Sequence, residues 1–123
     1  MSRIPAILIT GARKGIGRAL VEHYLARGYR VVGCSRQPSD LNAEGYRHHC
    51  LDIGQERDVR GMMAQIREEM GGLDALVNNA GVAAMNHALL TPIETVRQVL
   101  ETNVVGTFLV SREAARLLRA ATR

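Results

Sequence analysis

Three glycines near the start of the chain have a spacing that is suited to binding a phosphate group. Gly11, Gly15 and Gly17 form the pattern G-x-x-x-G-x-G, after a short apolar run and before a segment with helical periodicity. Glycines at such a turn let the backbone approach a pyrophosphate, which then lies at the helix N-terminus. An ordinary turn is the alternative, whereas a P-loop is excluded because no Gly-Lys-Ser/Thr follows. The candidate phosphate-binding residues are Thr10, Gly11, Arg13, Lys14, Gly15, Ile16 and Gly17.

A second candidate site, Ser35 and Arg36, follows the next apolar run. A dinucleotide that crosses the glycine turn places its adenosine ribose at the end of the second strand. There a carboxylate favours NAD, and an arginine accommodates the 2′-phosphate of NADP. Arg36 occupies this place, the first acid after it is Asp40, and Lys14 adds positive charge to the same region. The pattern favours NADP(H), and a solvated loop arginine is the alternative.

Two further polar segments follow the third and fourth apolar runs. Asp52 comes after the third, where an adenine ring would lie, although an aspartate two residues before Gly54 also suits a plain turn. Asn78, Asn79, Ala80 and Gly81 come after the fourth. Such residues at the carboxyl end of a parallel strand fit a ligand crevice, and they fit an ordinary turn as well.

Alternating strands and helices must position these residues. Short aliphatic and β-branched runs predict strands, and apolar residues that recur every three or four positions predict helices. Strands separated by helices indicate one α/β domain with a Rossmann-type parallel sheet, in the order 3-2-1-4, and helices on both faces. The predicted strands are 6–10, 30–34, 46–51 and 74–77, and the predicted helices are 16–27 and 55–70.

The last part of the chain predicts one long helix. Thr91 is the expected N-cap, Pro92 the first helical residue, and Glu94 completes the capping box. The helix is expected to run to about residue 120, with an interruption around residues 103–106. Because the chain ends on this helix, a fifth strand is not expected.

Composition argues against several classes of protein. The net charge is +4, but the arginines are dispersed, with neither a basic run nor an aromatic stacking platform, so nucleic-acid binding is not expected. No apolar run approaches the roughly 20 residues of a membrane span, and the N-terminus is unlike a signal peptide, so a cytoplasmic location is expected. Cys34 and Cys50 are interpreted as small buried residues on strands. No metal site is expected, because the adjacent His48 and His49 point to opposite faces of a strand.

Taken together, the segments from Thr10 to Gly17 and from Asn78 to Gly81 resemble the TGxxxGxG and NNAG motifs of the short-chain dehydrogenase/reductase family. The resemblance implies hydride transfer between NADP(H) and a carbonyl or alcohol. It also implies that Asp52 and Ile53 contact adenine, that Asn79, Ala80 and Gly81 line the cofactor, and that Asn103 is the active-site asparagine. Family members commonly pair through the helix predicted at 92–120, which implies a homo-oligomer.

One family motif is absent from the sequence. The family carries a serine and a Tyr-x-x-x-Lys motif, in which the tyrosine hydroxyl is the acid or base. Here each of the three tyrosines is followed four residues later by glycine or cysteine, and the only lysine, Lys14, lies in the glycine segment. We therefore expect residues 1–123 to be an NADP-binding domain that is incomplete at its C-terminus and inactive alone. A non-catalytic dinucleotide-binding module, acting as a sensor or scaffold, is the alternative.

Overall fold

A parallel sheet of four strands forms the centre of the protein, whose computed structural model describes residues 3–83 and 87–119. The strands are β1 (Ala6–Thr10), β2 (Arg30–Ser35), β3 (Tyr46–Cys50) and β4 (Ala75–Val77). Their order is β3-β2-β1-β4, which confirms the predicted order. All five residues of β1 are buried, as expected for an aliphatic strand with neighbours on both sides.

The register brings the carboxyl ends of the strands together. Ile9 of β1 lies opposite Gly33 of β2 and Val77 of β4, and Ser35 of β2 lies opposite Cys50 of β3. The polar segments that follow the four strands therefore emerge at one edge of the sheet. Ligands of open α/β sheets bind at this edge.

Four α-helices complete the part of the fold that the structure describes. The apolar positions of α2 face the core as its periodicity predicts, and this helix ends at Gly71, whose φ of 78° is the left-handed conformation that glycine adopts readily. A π-helical segment, Glu101–Gly106, separates α3 from α4, so the predicted interruption around residues 103–106 is confirmed. The helices are α1 (Gly15–Ala26), α2 (Glu56–Met70), α3 (Ile93–Leu100) and α4 (Thr107–Ala115).

Separate apolar clusters cover the two faces of the sheet. On one face, Ile7 and Ile9 of β1 pack with Val21 of α1. On the other, Leu8 of β1 packs with residues of α2 and α4, including Val59. Alternate residues of a strand point to opposite faces, so β1 contributes to both clusters, and the predicted placement of helices on both faces is confirmed.

The two cysteines differ in environment. Cys34 is buried in β2, and burial raises the pKa of its thiol to about 12. Cys50 is exposed, so the prediction that both are buried is wrong for Cys50. Cys50 ends β3, which lies at the edge of the sheet, so it lacks the neighbouring strand that covers Cys34.

The predicted C-terminal helix also needs correction. Pro92, in an extended conformation, is the N-cap of α3, and Thr91 does not cap it; the Thr91 hydroxyl instead donates to the carbonyl of His87 at 3.0 Å. The continuous helix predicted at 92–120 ends at Ala115, and residue 120 lies outside the described residues.

Beyond α4 the chain pairs with the residue that precedes Asp74 and β4. Leu118 forms a parallel bridge with Leu73, just before β4. The Leu73 N–H donates to the carbonyl of Leu117, and the Arg119 N–H donates to the carbonyl of Leu73, both at 2.8 Å. The described residues form four strands, and this bridge is a single residue pair outside them, so it does not amount to a fifth strand. Backbone pairing with a distant segment has no local signal in the sequence.

Asp74 ties three parts of the chain together at the opposite edge of the sheet. Its carboxylate accepts hydrogen bonds from the Ala6 N–H at 2.8 Å, from Arg3 at 2.6 Å and from Arg119 at 2.9 Å. Partial burial favours the neutral acid, but these bonds outweigh it and hold the pKa of Asp74 below its ordinary value. The carboxylate thus fixes the start of β1 against β4 and the segment after α4.

Candidate functional site

The glycine segment forms a tight loop between β1 and α1. Gly11 and Gly15 have φ of 65° and 61°, a conformation that a residue with a side chain adopts at a cost. Gly17 is buried, and a Cβ built on it would lie 1.9 Å from the carbonyl oxygen of Gly11 and 2.7 Å from the side-chain nitrogen of Asn79. The loop closes so tightly on itself that only glycine fits at position 17.

The N-terminus of α1 has no side-chain cap. Lys14 is its N-cap, with no hydrogen bond from the Lys14 side chain to the helix and no acidic residue in the first turn. A Cβ on Gly15 would meet no atom of the described residues within 4 Å. The first N–H groups of a helix have no partner within it, and they favour an anion.

Thr10 joins the ends of β1 and β4. Its hydroxyl oxygen accepts hydrogen bonds from the backbone N–H groups of Asn79 at 3.0 Å and Ala80 at 2.9 Å. The Asn79 side chain donates to the carbonyl of Gly11 at 3.1 Å. The two sequence motifs, far apart in the chain, are thus one hydrogen-bonded unit.

Two cavities lie along this edge of the sheet, with volumes of about 150 and 300 Å³. Gly11, Ser35, Ala80 and Gly81 line both. Most of the predicted site residues line at least one cavity. The first adds Arg36, Asp52 and Ile53, and the second adds Arg13, Lys14, Gly15 and Asn79.

The remaining predicted residues stand apart from these walls. Thr10 and Gly17 are buried behind the loop, where they shape it. The Ile16 side chain is 73% exposed. Val82, in the loop after β4, also lines the first cavity. Sequence reasoning missed Thr102, which lines the same cavity from the π-helical segment and has no local sequence signal.

Positive charge dominates the end of β2. Arg36 is exposed, and its guanidinium donates to the hydroxyl of the buried Thr102 at 3.1 Å. Asp40, the nearest acid in sequence, pairs instead with Arg18 of α1 at 2.6 Å. The hydrogen bond from Arg18 holds the pKa of Asp40 below its ordinary value, so this carboxylate remains charged and engaged. Arg36 is therefore available to an anion.

Asp52 and Ile53 form the wall after β3. The Asp52 carboxylate accepts a hydrogen bond from the Gly54 N–H at 2.9 Å, which stabilises the turn. Asp52 also lines the first cavity, so it has both of the positions that the sequence suggested. Ile53 is buried against the π-helical segment, where a Cβ on Gly106 would lie 2.6 Å from the Ile53 side chain. The absence of a side chain at Gly106 lets this segment approach the cavity.

Asn103 lies in the π-helical segment. Its side-chain oxygen accepts from the Val82 N–H at 2.8 Å, and its side-chain nitrogen donates to the Val82 carbonyl at 2.9 Å. π-Helical turns are rare and frequently occur at functional sites. In this structure the Asn103 amide fixes the loop after β4 against the helices.

The parallel sheet and its glycine loop define a nucleotide-binding domain of the Rossmann type. The model of the short chain dehydrogenase family matches residues 5–123. The chain therefore belongs to the short chain dehydrogenase family. It is 32% identical over 117 residues to the 3-oxoacyl-(acyl-carrier-protein) reductase of Escherichia coli, a match that covers 90% of this chain and 48% of that protein.

Solved structures agree with this assignment. A short chain dehydrogenase from Leptospira borgpetersenii with bound NAD+ has a TM-score of 0.87 and 26% identity, over 94% of this chain and 46% of that one. ElxO with NADP bound has a TM-score of 0.84 and 27% identity, over 93% of this chain and 50% of that one. The chain spans 37–48% of the length of the curated relatives that it matches. Across residues 3–83 and 87–119, no helix has the length and apolar character needed to cross a membrane.

Proposed function

We propose that this protein is an NADP-dependent oxidoreductase that moves a hydride between NADP(H) and a carbonyl or alcohol substrate, and that residues 1–123 supply its dinucleotide site. The observation that carries the proposal is the meeting of four polar segments at one edge of the sheet. Each follows a different strand, and together they line two neighbouring cavities. Bound nicotinamide supplies the hydride donor or acceptor.

The residues present fit such a cofactor. The uncapped N-terminus of α1 and the open space at Gly15 suit the pyrophosphate, because N–H groups and the helix dipole stabilise negative charge there. Asp52 and Ile53 form the wall for adenine. Asn79 and Gly81 line the second cavity. A Cβ on Gly81 would lie 3.4 Å from the side-chain oxygen of Asn103, so Asn103 is next to this wall. Behind the inner wall, residues of β1 and β2 are buried.

NADP(H) is expected to bind at least tenfold more tightly than NAD(H), and Arg36→Asp is expected to reverse this preference. A charge-assisted hydrogen bond to a phosphate contributes roughly 1.5–3 kcal/mol. Arg36 and Lys14 are both exposed at the end of the site, and Asp40 is held by Arg18. Introducing a carboxylate at position 36 would repel the 2′-phosphate and bind the ribose hydroxyls of NAD.

Isothermal titration calorimetry with both dinucleotides measures this preference. Arg27→Asp is the matched control, because it changes the net charge equally at the other end of α1. It should leave the ratio of the two dissociation constants unchanged. Equal affinity of the unaltered protein for NADP(H) and NAD(H) would contradict the proposed selectivity.

We also propose that the protein forms a homo-oligomer through the surface of α3 and the start of α4. Apolar side chains spaced three or four residues apart are exposed along this surface: Ile93 (54%), Val96 (41%), Leu100 (52%), Val104 (60%) and Phe108 (58%). Contiguous exposed apolar surface marks an interaction site. A second copy of the chain is the partner that the family resemblance favours.

Leu100→Asp is expected to weaken self-association at least tenfold, because it buries a charge at the centre of this apolar surface. Gln98→Asp is the control, since position 98 is exposed on the same helix two residues away, on another side. Sedimentation equilibrium should show monomers for Leu100→Asp and dimers or larger species for Gln98→Asp and the unaltered chain. A monomeric unaltered chain would contradict the proposal.

A non-catalytic dinucleotide-binding module is the second candidate function. The glycine loop and the two cavities would serve such a module as well. The two candidates share the same binding site and differ in turnover.

A further inference from the structure

A continuous chain of hydrogen bonds runs from β3 to the segment that carries Arg36. The Tyr46 hydroxyl lies 2.6 Å from Nδ1 of His48, and Nε2 of His48 lies 2.8 Å from the hydroxyl of Ser35. The Ser35 hydroxyl donates to the carbonyl of Gln37 at 2.6 Å, and Nε2 of His48 is 3.1 Å from the same carbonyl. His48 thus bridges a buried part of the sheet and the loop after β2.

The strand register explains why these side chains meet. Gly33 lies opposite His48 in the parallel pair of β2 and β3, and alternation along each strand puts Ser35, His48 and Tyr46 on one face. A Cβ on Gly33 would lie 2.1 Å from the Tyr46 hydroxyl oxygen. The glycine therefore makes room for the tyrosine hydroxyl beneath the glycine loop.

The network admits one consistent assignment of protons. Ser35 has a single hydroxyl proton, which it gives to the Gln37 carbonyl, so it accepts from Nε2–H of His48. Nδ1 of His48 then carries a lone pair and accepts from Tyr46. Burial raises the pKa of Tyr46 to about 12, so its hydroxyl keeps its proton. Burial, with Arg13 nearby, lowers the pKa of His48 and favours the neutral ring, although the Gln37 carbonyl opposes this.

Arg36 lies between the two residues that this network holds. The Ser35 carbonyl accepts from the Leu51 N–H at 2.9 Å, so its main chain is fixed to the end of β3 while its side chain is fixed by His48. The Gln37 carbonyl is fixed by the Ser35 hydroxyl and by His48. The His48 ring therefore contacts both chain neighbours of Arg36, in addition to the Leu51 bond that holds the Ser35 main chain.

We propose that His48 is a positioning residue for cofactor selectivity: by holding Ser35 and Gln37, it orders the backbone at Arg36 for the 2′-phosphate of NADP(H). This inference rests on the proposed NADP site. His48 itself lines neither of the two cavities. Its contribution is the ordering of a short loop before binding, which lowers the entropic cost of placing the guanidinium.

Two amide substitutions separate the two ends of the network. His48→Gln can present its amide N–H near the position of Nε2 and keep the bond to the loop. His48→Asn is shorter; it can accept from Tyr46 at the position of Nδ1 and loses the bond to Ser35. The expected result is that His48→Asn binds NADP+ about three- to tenfold more weakly, the loss that corresponds to one hydrogen bond. His48→Gln should stay within about twofold of the unaltered protein, and NAD+ affinity should change in neither.

Calorimetric dissociation constants for NADP+ and NAD+ test the inference, with His49→Asn as the matched control. His49 is the next residue of β3 and lines a groove beside α2, on the opposite side of the strand. An unchanged NADP+/NAD+ ratio in His48→Asn would overturn the role of His48 while leaving the NADP site intact. A ratio of one in the unaltered protein would overturn both proposals.

A second measurement on the unaltered protein is independent of how the variants fold. Long-range 1H–15N spectra distinguish the two neutral tautomers of histidine. The expected form of His48 carries its proton on Nε2. A proton on Nδ1 would make Nε2 an acceptor from the Ser35 hydroxyl, so the Gln37 carbonyl would lose both donors and the inference would be overturned.

Discussion

Gly17→Ala is expected to abolish dinucleotide binding and to lower the free energy of unfolding by about 3 kcal/mol, the upper part of the range for overpacking. The added Cβ would lie 1.9 Å from the Gly11 carbonyl oxygen, a backbone atom that cannot move without opening the loop. It would also lie 2.7 Å from the Asn79 side-chain nitrogen, which itself bonds to that carbonyl. Relief of the clash must therefore separate the glycine loop from β4.

Two other glycines provide matched controls for the same substitution. Gly61→Ala on α2 meets no described atom within 4 Å and should stabilise the protein by about 0.5–1 kcal/mol, through helix propensity alone. Gly15→Ala also has open space but has φ of 61°, so it should cost about 1–2 kcal/mol. Denaturant unfolding gives the stabilities, and calorimetry with NADP+ gives binding. A Gly17→Ala protein that binds NADP+ as well as Gly61→Ala would contradict the structure of the loop.

The parts of the fold that the sequence predicted are those with strong local signals. β1 is a continuous aliphatic run because it is buried on both faces, and the buried residues of α2 recur at helical spacing. The glycine loop could be predicted from the sequence because close contacts at Gly11 and Gly17 leave no room for a side chain. Once these elements are placed, the register of the parallel sheet fixes where the polar segments meet.

The features that the sequence did not predict depend on distant contacts. Leu118 pairs with Leu73 in an isolated parallel bridge, although each residue alone suits a helix or a turn. The exposure of Cys50 follows from the edge position of β3, which its own sequence does not reveal. Thr102 reaches the first cavity because the π-helical segment brings it there. Tertiary geometry decides each of these cases.

A polypeptide of these 123 residues is expected to bind NADPH. It is also expected to reduce ketones or quinones at least about 10²-fold more slowly than a complete relative. Reduction of a carbonyl requires a proton for the developing alkoxide, and a positioned acid contributes about 10²–10⁴-fold. The sequence holds no tyrosine four residues before a lysine. Asn103 cannot titrate, and both polar atoms of its amide are engaged with Val82.

A steady-state assay of NADPH oxidation over a panel of ketones and quinones, on protein of confirmed mass, measures this difference. NADPH binding by the same preparation must be shown by calorimetry, so that slow turnover reflects the chemical step and not an empty site. The Escherichia coli reductase, measured in parallel with its own substrate, calibrates the assay. Fast turnover that disappears in Gly17→Ala would contradict the prediction, since it would place a proton donor within these residues. His87, exposed on the loop before α3, would then be the first side chain to replace.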